Sequence, residues 1–519
     1  MNQKIKNYLL ILSIIGMVTA VAGGACKKQV DLTNAVVVEK MYATSTDGFT
    51  NHVTNIFGSG SWKSYPMKQG VEGIMIYLAD TATLGKPGAV QLGAYIKSIE
   101  IGCSNSHYNE IIINGSEKEY WQCNSALLID KHVSSLFLKE QPGNEGSFDI
   151  DEVKFLDEKG ATRPVIFPEV LKGKVTASST LEPTSAYAAY LIFDGKPEFA
   201  WAEGKKGNDP GTGENITITL DKEIELTGFE IYPGYQRSVS HFLKNAAPVS
   251  LLISNGSSSE SAKYVNAMGS QRILLNKPLK GKKFTLSIEK VRKGSKWQDT
   301  LISEMVLLSG QNRYSVYDSS VEKQKSDLMA KIKGTNLERV VGYGINDFCT
   351  SKNKNTKADD EQYDSKDIIF LLRPNGSFVI WDNRHWSENT SGSVGKSSVV
   401  MDGNWIIKSA GKDSSTIEIF GRLIEIKETA EFNSSDSMYG FDEKELAGFV
   451  TEKENEHIFS EKNLVITSYS KSPQAGIQFD TCEGRGTYNE VLTSYGDAIQ
   501  ITSGRINGWF GSWGYLLQH

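Results

Sequence analysis

The sequence predicts a mainly β protein: tandem β-sandwich domains followed by a β-rich, barrel-like C-terminal domain. Three observations predict it. From about residue 46 to 312 the chain runs in short alternating stretches broken by Gly, Asn, Ser and Asp, the pattern of strands with turns between them. The 48 glycines against 13 prolines, with 21 Tyr, 21 Phe and 9 Trp, suit turn-rich sheets. Convincing helical periodicity is confined to "YDSSVEKQKSDLMAKIKGTNLERVV" at 317–341, where Leu328, Ile332 and Leu337 recur near helical spacing.

In chain order, "MNQKIKNYLLILSIIGMVTAVAGGACKK" places Lys4 and Lys6 before an apolar run from Tyr8 to Val21, then small residues. That is the three-part plan of a secretory signal, and the run is short for a spanning helix. Gly23, Gly24 and Ala25 directly precede Cys26, so the segment resembles a bacterial lipoprotein signal, relaxed at Gly23 where leucine is usual. The resemblance implies cleavage after residue 25, acylation of Cys26 and a lipid anchor in the cell envelope. A simple cleaved signal with an incidental cysteine is the alternative. Residues 26–45 read as a tether.

Two sandwiches follow, at 46–168 and 172–312. "AYIKSIEIGCS", "EIIINGS", "SSLFLKE" and "IDEVKFLDEKG" supply strands of the first. An echo between "FDIDEVKFLDEKG" and "TLISEMVLLSGQ" suggests that the two share a plan. After the helical connector, the domain at 342–519 carries "FLLRPNGSFVIWDN", whose Asn-Gly pair is a strong hairpin signal. "Gly403-Asn404-Trp405" loosely resembles the start of a lipocalin-like barrel strand. Apart from Cys26 the cysteines are Cys103, Cys123, Cys349 and Cys482, with no CxxC. Two intradomain disulfides suit an oxidising compartment, although four cysteines allow three pairings; four buried thiols are the other reading.

The segment from 172 carries "VTASSTLEP", "LIFDGKPEFAWAEG", "GTGE", "GFEIYPGYQRS" and "LKNAAP" in that order. It resembles the discoidin-like (F5/8 type C) domains, and most of all the type named for the translocation domain of bacterial NAD glycohydrolases. Asn215 departs from that pattern, where an aromatic residue is common. The resemblance implies a jelly-roll, galactose-binding-like sandwich that binds carbohydrate or another cell-surface ligand through its loops. Candidate ligand contacts are Trp201, Glu203, Glu214, Tyr235, Lys244 and Asn245. In related modules an Asp-Gly loop holds a structural Ca²⁺, which would use Asp194 here; hard oxygen ligands suit that ion. The bland reading is that Asp194 and Glu203 bond loop amides while Trp201 fills the core.

A net charge of −6 argues against a general nucleic-acid binder. The chain has no P-loop, no His-Glu-x-x-His and no Gly-x-Ser-x-Gly, and its seven histidines form no close pair. No cofactor is called for, and no catalytic residue stands out. Trp509, Phe510, Trp513 and Tyr515 read either as a ligand platform or as aromatics closing a barrel end. The leading expectation is therefore an exported, lipid-anchored binding protein. A secreted hydrolase would need Asp347, Asp382, Arg384, His385 and Glu483 to converge in the C-terminal domain. A structural envelope lipoprotein is the third reading.

Overall fold

A computed structural model describes residues 34–503 apart from 47, 59, 65–71, 81–84, 87–92, 105–108, 115–116, 140–146, 183, 185, 208–209, 340, 342–344, 353–361, 389–392, 413, 434–440, 450–462 and 469–498. The described chain is built mainly of strands, in three successive sheet systems.

The first is a sandwich. Its six-stranded sheet runs Val165–Ile166, Val36–Ala43, Gly73–Ala79, Ser135–Lys139, Asn109–Ile113, Glu117–Trp121. It faces a three-stranded sheet of Glu152–Leu156, Ala94–Gly102 and Ala126–Val133. Ile74, Ile76, Ile111 and Leu138 from one sheet share a buried cluster with Ile96, Ile99, Val133 and Phe155 from the other. Cys103, just past one sheet, is bonded to Cys123, just past a strand of the other, at a Cα separation of 5.2 Å. The disulfide thus staples the two layers. Cys482 and the Cys349 side chain lie outside the described residues, as does Cys26.

The first strand, Val36–Ala43, corrects the reading of 26–45 as a tether. "VVVEKMYA" hides from a period-2 reading because both its faces are covered: Val36, Val37 and Val38 are all buried. One side packs into its own sandwich, and the second sandwich covers the other. Its register against Gly73–Ala79 slips between Val38 and Lys40. At that bulge the carbonyls of Val38 and Glu39 accept hydrogen bonds from the Arg313 guanidinium of the second sandwich.

The second system is one eight-stranded sheet folded over on itself. Its order is Trp201–Ala202, Leu301–Ser309, Asn312–Asp318, Pro168–Ala177, Asn215–Pro233, Gln271–Arg292, Ala247–Ser254, Ser259–Lys263. Asn215–Pro233 also pairs with Leu301–Ser309, which closes the jelly roll. Ile216, Ile218 and Leu220 alternate inward with polar neighbours outward, as a half-buried strand must. Their core takes in Phe229, Leu251, Phe284, Leu286 and Met305. The helix of the connector spans Ser320–Ile332, and the stretch before it is strand up to Asp318.

The third system is an antiparallel sheet of long hairpins between Ile345 and Ser503. The "RPNG" turn joins Gln362–Leu372 to Ser377–Glu388, with Gly376 at φ 84° as a hairpin turn of that kind needs. Arg373 from this turn is buried, with Nε 2.9 Å from Glu72 in the first sandwich. Asp402 takes Lys196 Nζ of the second sandwich at 2.7 Å. One hairpin end therefore rests on both preceding domains.

Candidate ligand-binding site

The loops of the second sandwich gather where its strands turn over, and backbone bonds lash them together. Glu203 N donates to Thr300 O at 3.1 Å, Ala246 N to Asp299 O at 3.1 Å, and Trp297 N to Lys244 O at 2.8 Å. Between Pro233 and Ala247 the chain forms a short helix, Val239–Lys244, capped by Ser238, whose Oγ accepts from His241 N.

The six sequence-nominated contacts divide. Trp201 has no exposed surface, and its Nε1 donates to Ser179 O at 3.0 Å. It pairs with Ile302 inside the sandwich, so it is a core residue and offers no face to a ligand. Glu203 is 1% exposed; its carboxylate accepts from Lys205 N at 2.8 Å and Thr300 N at 3.4 Å. Burial pushes its carboxyl above the usual range. Gly211, at φ 77°, is pressed so closely against it that a Cβ there would stand 2.6 Å from Glu203 Cγ. Glu203 thus braces its loop and is not available as a ligand contact. Glu214 accepts from the hydroxyls of Ser178 and Ser179 and fastens the domain's opening strand.

Tyr235, Lys244 and Asn245 do fall together, around the short helix. The Tyr235 hydroxyl accepts from Arg237 Nη1 at 3.2 Å, and its ring meets His241 edge-on at 5.2 Å. Tyr235 and Asn245 are themselves largely buried, and Asn245 Nδ2 donates to His241 O at 2.8 Å. Lys244 keeps partial exposure. Sequence reasoning missed Arg237 and His241, which are partly exposed, and Trp297. Trp297 is 39% exposed, with Lys296 Nζ 4.5 Å from its ring centre. The signal available was "YQRS" and "SKWQD", two polar-aromatic loops flanking core strands.

Asp194 lies elsewhere, at the end of the turn Ala189–Phe193. One of its oxygens accepts from Lys196 N at 2.8 Å, fixing the Asp-Gly turn. Gly195, at φ 75°, sits where a Cβ would be 2.3 Å from Met41 O of the first strand. Beside Asp194 is Glu304, 3% exposed, whose Oε2 has no hydrogen-bond partner. Burial, and then the Asp194 charge, push the Glu304 carboxyl well above its ordinary value. Both acids line a cavity of about 110 Å³ at the junction of the two sandwiches. Among the described residues no group of three or more His, Cys, Asp or Glu side chains is arranged to hold a metal. The acidic groups a Ca²⁺ could use beside the Asp-Gly turn are the Asp194 and Glu304 carboxyls, and Glu304 Oε2 lacks a hydrogen-bond partner.

Residues 167–308 match the NAD glycohydrolase translocation F5/8 type C domain. No curated protein matches the chain. Among solved structures it is similar to the family 32 carbohydrate-binding module of Clostridium perfringens NanJ in complex with galactose. The identity there is 12%, over 26% of this chain and 92% of that one, with a TM-score of 0.21. A second Clostridium perfringens module of the same family, in complex with GalNAc-β-1,3-galactose, shows 17% identity over 26% and 95%, with a TM-score of 0.20. The serum fucolectin of the striped bass, Morone saxatilis, shows 14% identity over 54% and 97%, with a TM-score of 0.20.

Outside the F5/8 type C domain, of the residues named for a hydrolase Asp382, Arg384 and His385 share the strand Ser377–Glu388, and Asp347 lies two strands away on Ile345–Lys352. Asp347 lies in register with Ile368, which lies in register with Asp382; Arg384 pairs with Lys366 and His385 with Ser365. Glu483 and the aromatics from Trp509 to Tyr515 fall outside the described residues.

Proposed function

We propose that the chain is an exported, lipid-anchored binding protein whose F5/8 type C domain holds a carbohydrate at the 235–245 and 292–299 loops. The observation that supports this is the accessible surface there: the exposed Trp297 ring beside the partly exposed donors Arg237, His241 and Lys244. An aromatic face stacks on the apolar face of a sugar ring, and the Arg237 and Lys244 cations, with the His241 imidazole, orient its hydroxyls. The loops sit on a braced scaffold, so little ordering cost is left to binding.

A glycan array probed with the full chain, followed by titration of the strongest hit, tests the reading. Trp297→Ala and Arg237→Ala should each weaken binding by about tenfold or more, about 1.4 kcal/mol. Wild-type affinity in both variants, or a silent array, would overturn it. The anchor is tested apart from the ligand. Incorporation of labelled palmitate should depend on Cys26, and a Cys26→Ala chain that still sediments wholly with membranes removes the lipoprotein from the account. A structural Ca²⁺ at Asp194 and Glu304 completes the proposal; it would offset both the desolvation of the Glu304 carboxyl and its repulsion by Asp194.

A further inference from the structure

Charge on the candidate binding surface runs against that of the whole chain. The segments 235–245 and 292–299 hold Arg237, Lys244, Arg292, Lys293 and Lys296 against the single acid Asp299, in a chain of net charge −6. Two of these cations are committed to the fold itself. Arg237 Nη1 donates to the Tyr235 hydroxyl at 3.2 Å. Arg292 lies 4.7 Å from the centre of the Phe242 ring and closes the end of the short helix, its Nη2 donating to Phe242 O at 2.6 Å and its Nη1 to Asn245 O at 3.0 Å. Backbone amides take the carbonyls between: Ser295 N donates to Leu243 O at 3.0 Å and Trp297 N to Lys244 O at 2.8 Å.

Lysines at a helix C-terminus ordinarily answer such carbonyls. Here that need is already met, and Lys244, Lys293 and Lys296 are surplus to it. A Cβ on Gly294 would stand 2.0 Å from Trp297 O and 2.4 Å from Lys244 O, so the turn carrying Lys293 and Lys296 is folded hard onto the helix end. Lys293 and Lys296 are exposed, Lys244 partly so, and Lys296 keeps its ammonium near the Trp297 ring. Among the described residues, the ion pairs of this sandwich are made by other cations: Lys196, Arg272, Lys280 and Arg313. Burial, and then the Asp299 charge, hold the Glu203 carboxyl up, which places Asp299 toward the Glu203 loop.

We infer that the carbohydrate held here is an acidic polysaccharide, whose carboxylate or sulfate groups meet Lys244, Lys293 and Lys296 while a sugar ring stacks on Trp297. The inference rests on the carbohydrate reading above and adds the charge class of the ligand. An ammonium is a compact charge that accepts an anion from many directions, which suits a polymer bearing an anionic group on successive sugars. Each exposed pair is weak and is screened by salt, so affinity builds from several pairs along one chain. The partly exposed donors Arg237 and His241 on the same loops suit a hydroxyl-rich ligand rather than an anionic lipid surface.

A glycan array with acidic and neutral members, probed with the full chain, tests this, followed by titration of polygalacturonate against its methyl ester and of dextran sulfate against dextran. The expected result is an acidic polymer bound about tenfold or more tighter than its neutral counterpart, with an affinity that falls as salt is raised. Replacing both exposed lysines, Lys293→Gln with Lys296→Gln, should weaken acidic binding by about fivefold or more. Hits confined to neutral glycans, equal affinity within both polymer pairs, or an unchanged affinity in the double variant would overturn the inference and leave the carbohydrate reading standing. A silent array would overturn both, whether or not a Cys26→Ala chain binds phosphatidylglycerol vesicles.

Discussion

Arg313→Ala is expected to lower the stability of the chain by about 3–5 kcal/mol, the usual result of removing one partner from a buried ion pair. Arg313 is 2% exposed, and its Nε and Nη2 reach Glu230 Oε2 at 3.2 and 2.6 Å. The same guanidinium serves the carbonyls of Val38 and Glu39 across the domain junction. Its loss leaves a buried carboxylate facing one remaining cation, Arg272, at 3.1 Å, and strips two strand carbonyls of their donor. Urea titration, with probes in each sandwich, measures the effect. The second consequence separates this residue from an ordinary core position: the first strand should become more open to proteolysis even where the second sandwich stays folded. A variant within about 0.5 kcal/mol of wild type would show that the guanidinium is not what docks the domains.

The second large effect belongs to the Cys103–Cys123 disulfide. Removing it with a double Cys→Ala change should cost about 3 kcal/mol, on the chain-entropy account for a closed loop of roughly twenty residues. The loop it closes contains the hairpin Asn109–Trp121, which forms the outer two strands of the six-stranded sheet. Reduction should therefore lower the melting temperature of the first sandwich and spare the F5/8 type C domain. Calorimetry in the presence and absence of a reductant checks this; equal curves would mean that the bridge adds nothing to the native state.

The parts of this architecture with a local signature were legible. Alternation revealed the strands, Asn-Gly revealed the hairpin at 375–376, and the ordered Gly, Trp and Asp-Gly landmarks revealed the F5/8 type C domain. What was not legible depends on contacts distant in sequence. Val36–Ala43 lost its alternation because two domains bury it from opposite sides. Trp201 and Glu203 looked displayable because they lie in a glycine-rich stretch, yet Trp201 completes the core and Glu203 bonds the amide of Thr300, 97 residues onward. Glu304 was passed over as one acid in a strand; only the fold sets it beside Asp194.

The position of the first strand also sets a length. With a tether running from Cys26 to residue 45, an acylated chain would have some twenty residues of slack, a reach of about 65–70 Å when fully extended. The strand at Val36 leaves ten residues from Cys26 to the fold, a span that cannot exceed about 35 Å. A sandwich is itself tens of ångströms across, so an anchored molecule would sample a shallow layer just above the lipid. Under the proposed function, polymers lying close to the membrane would meet the 235–245 loop often, and strands projecting far from it seldom.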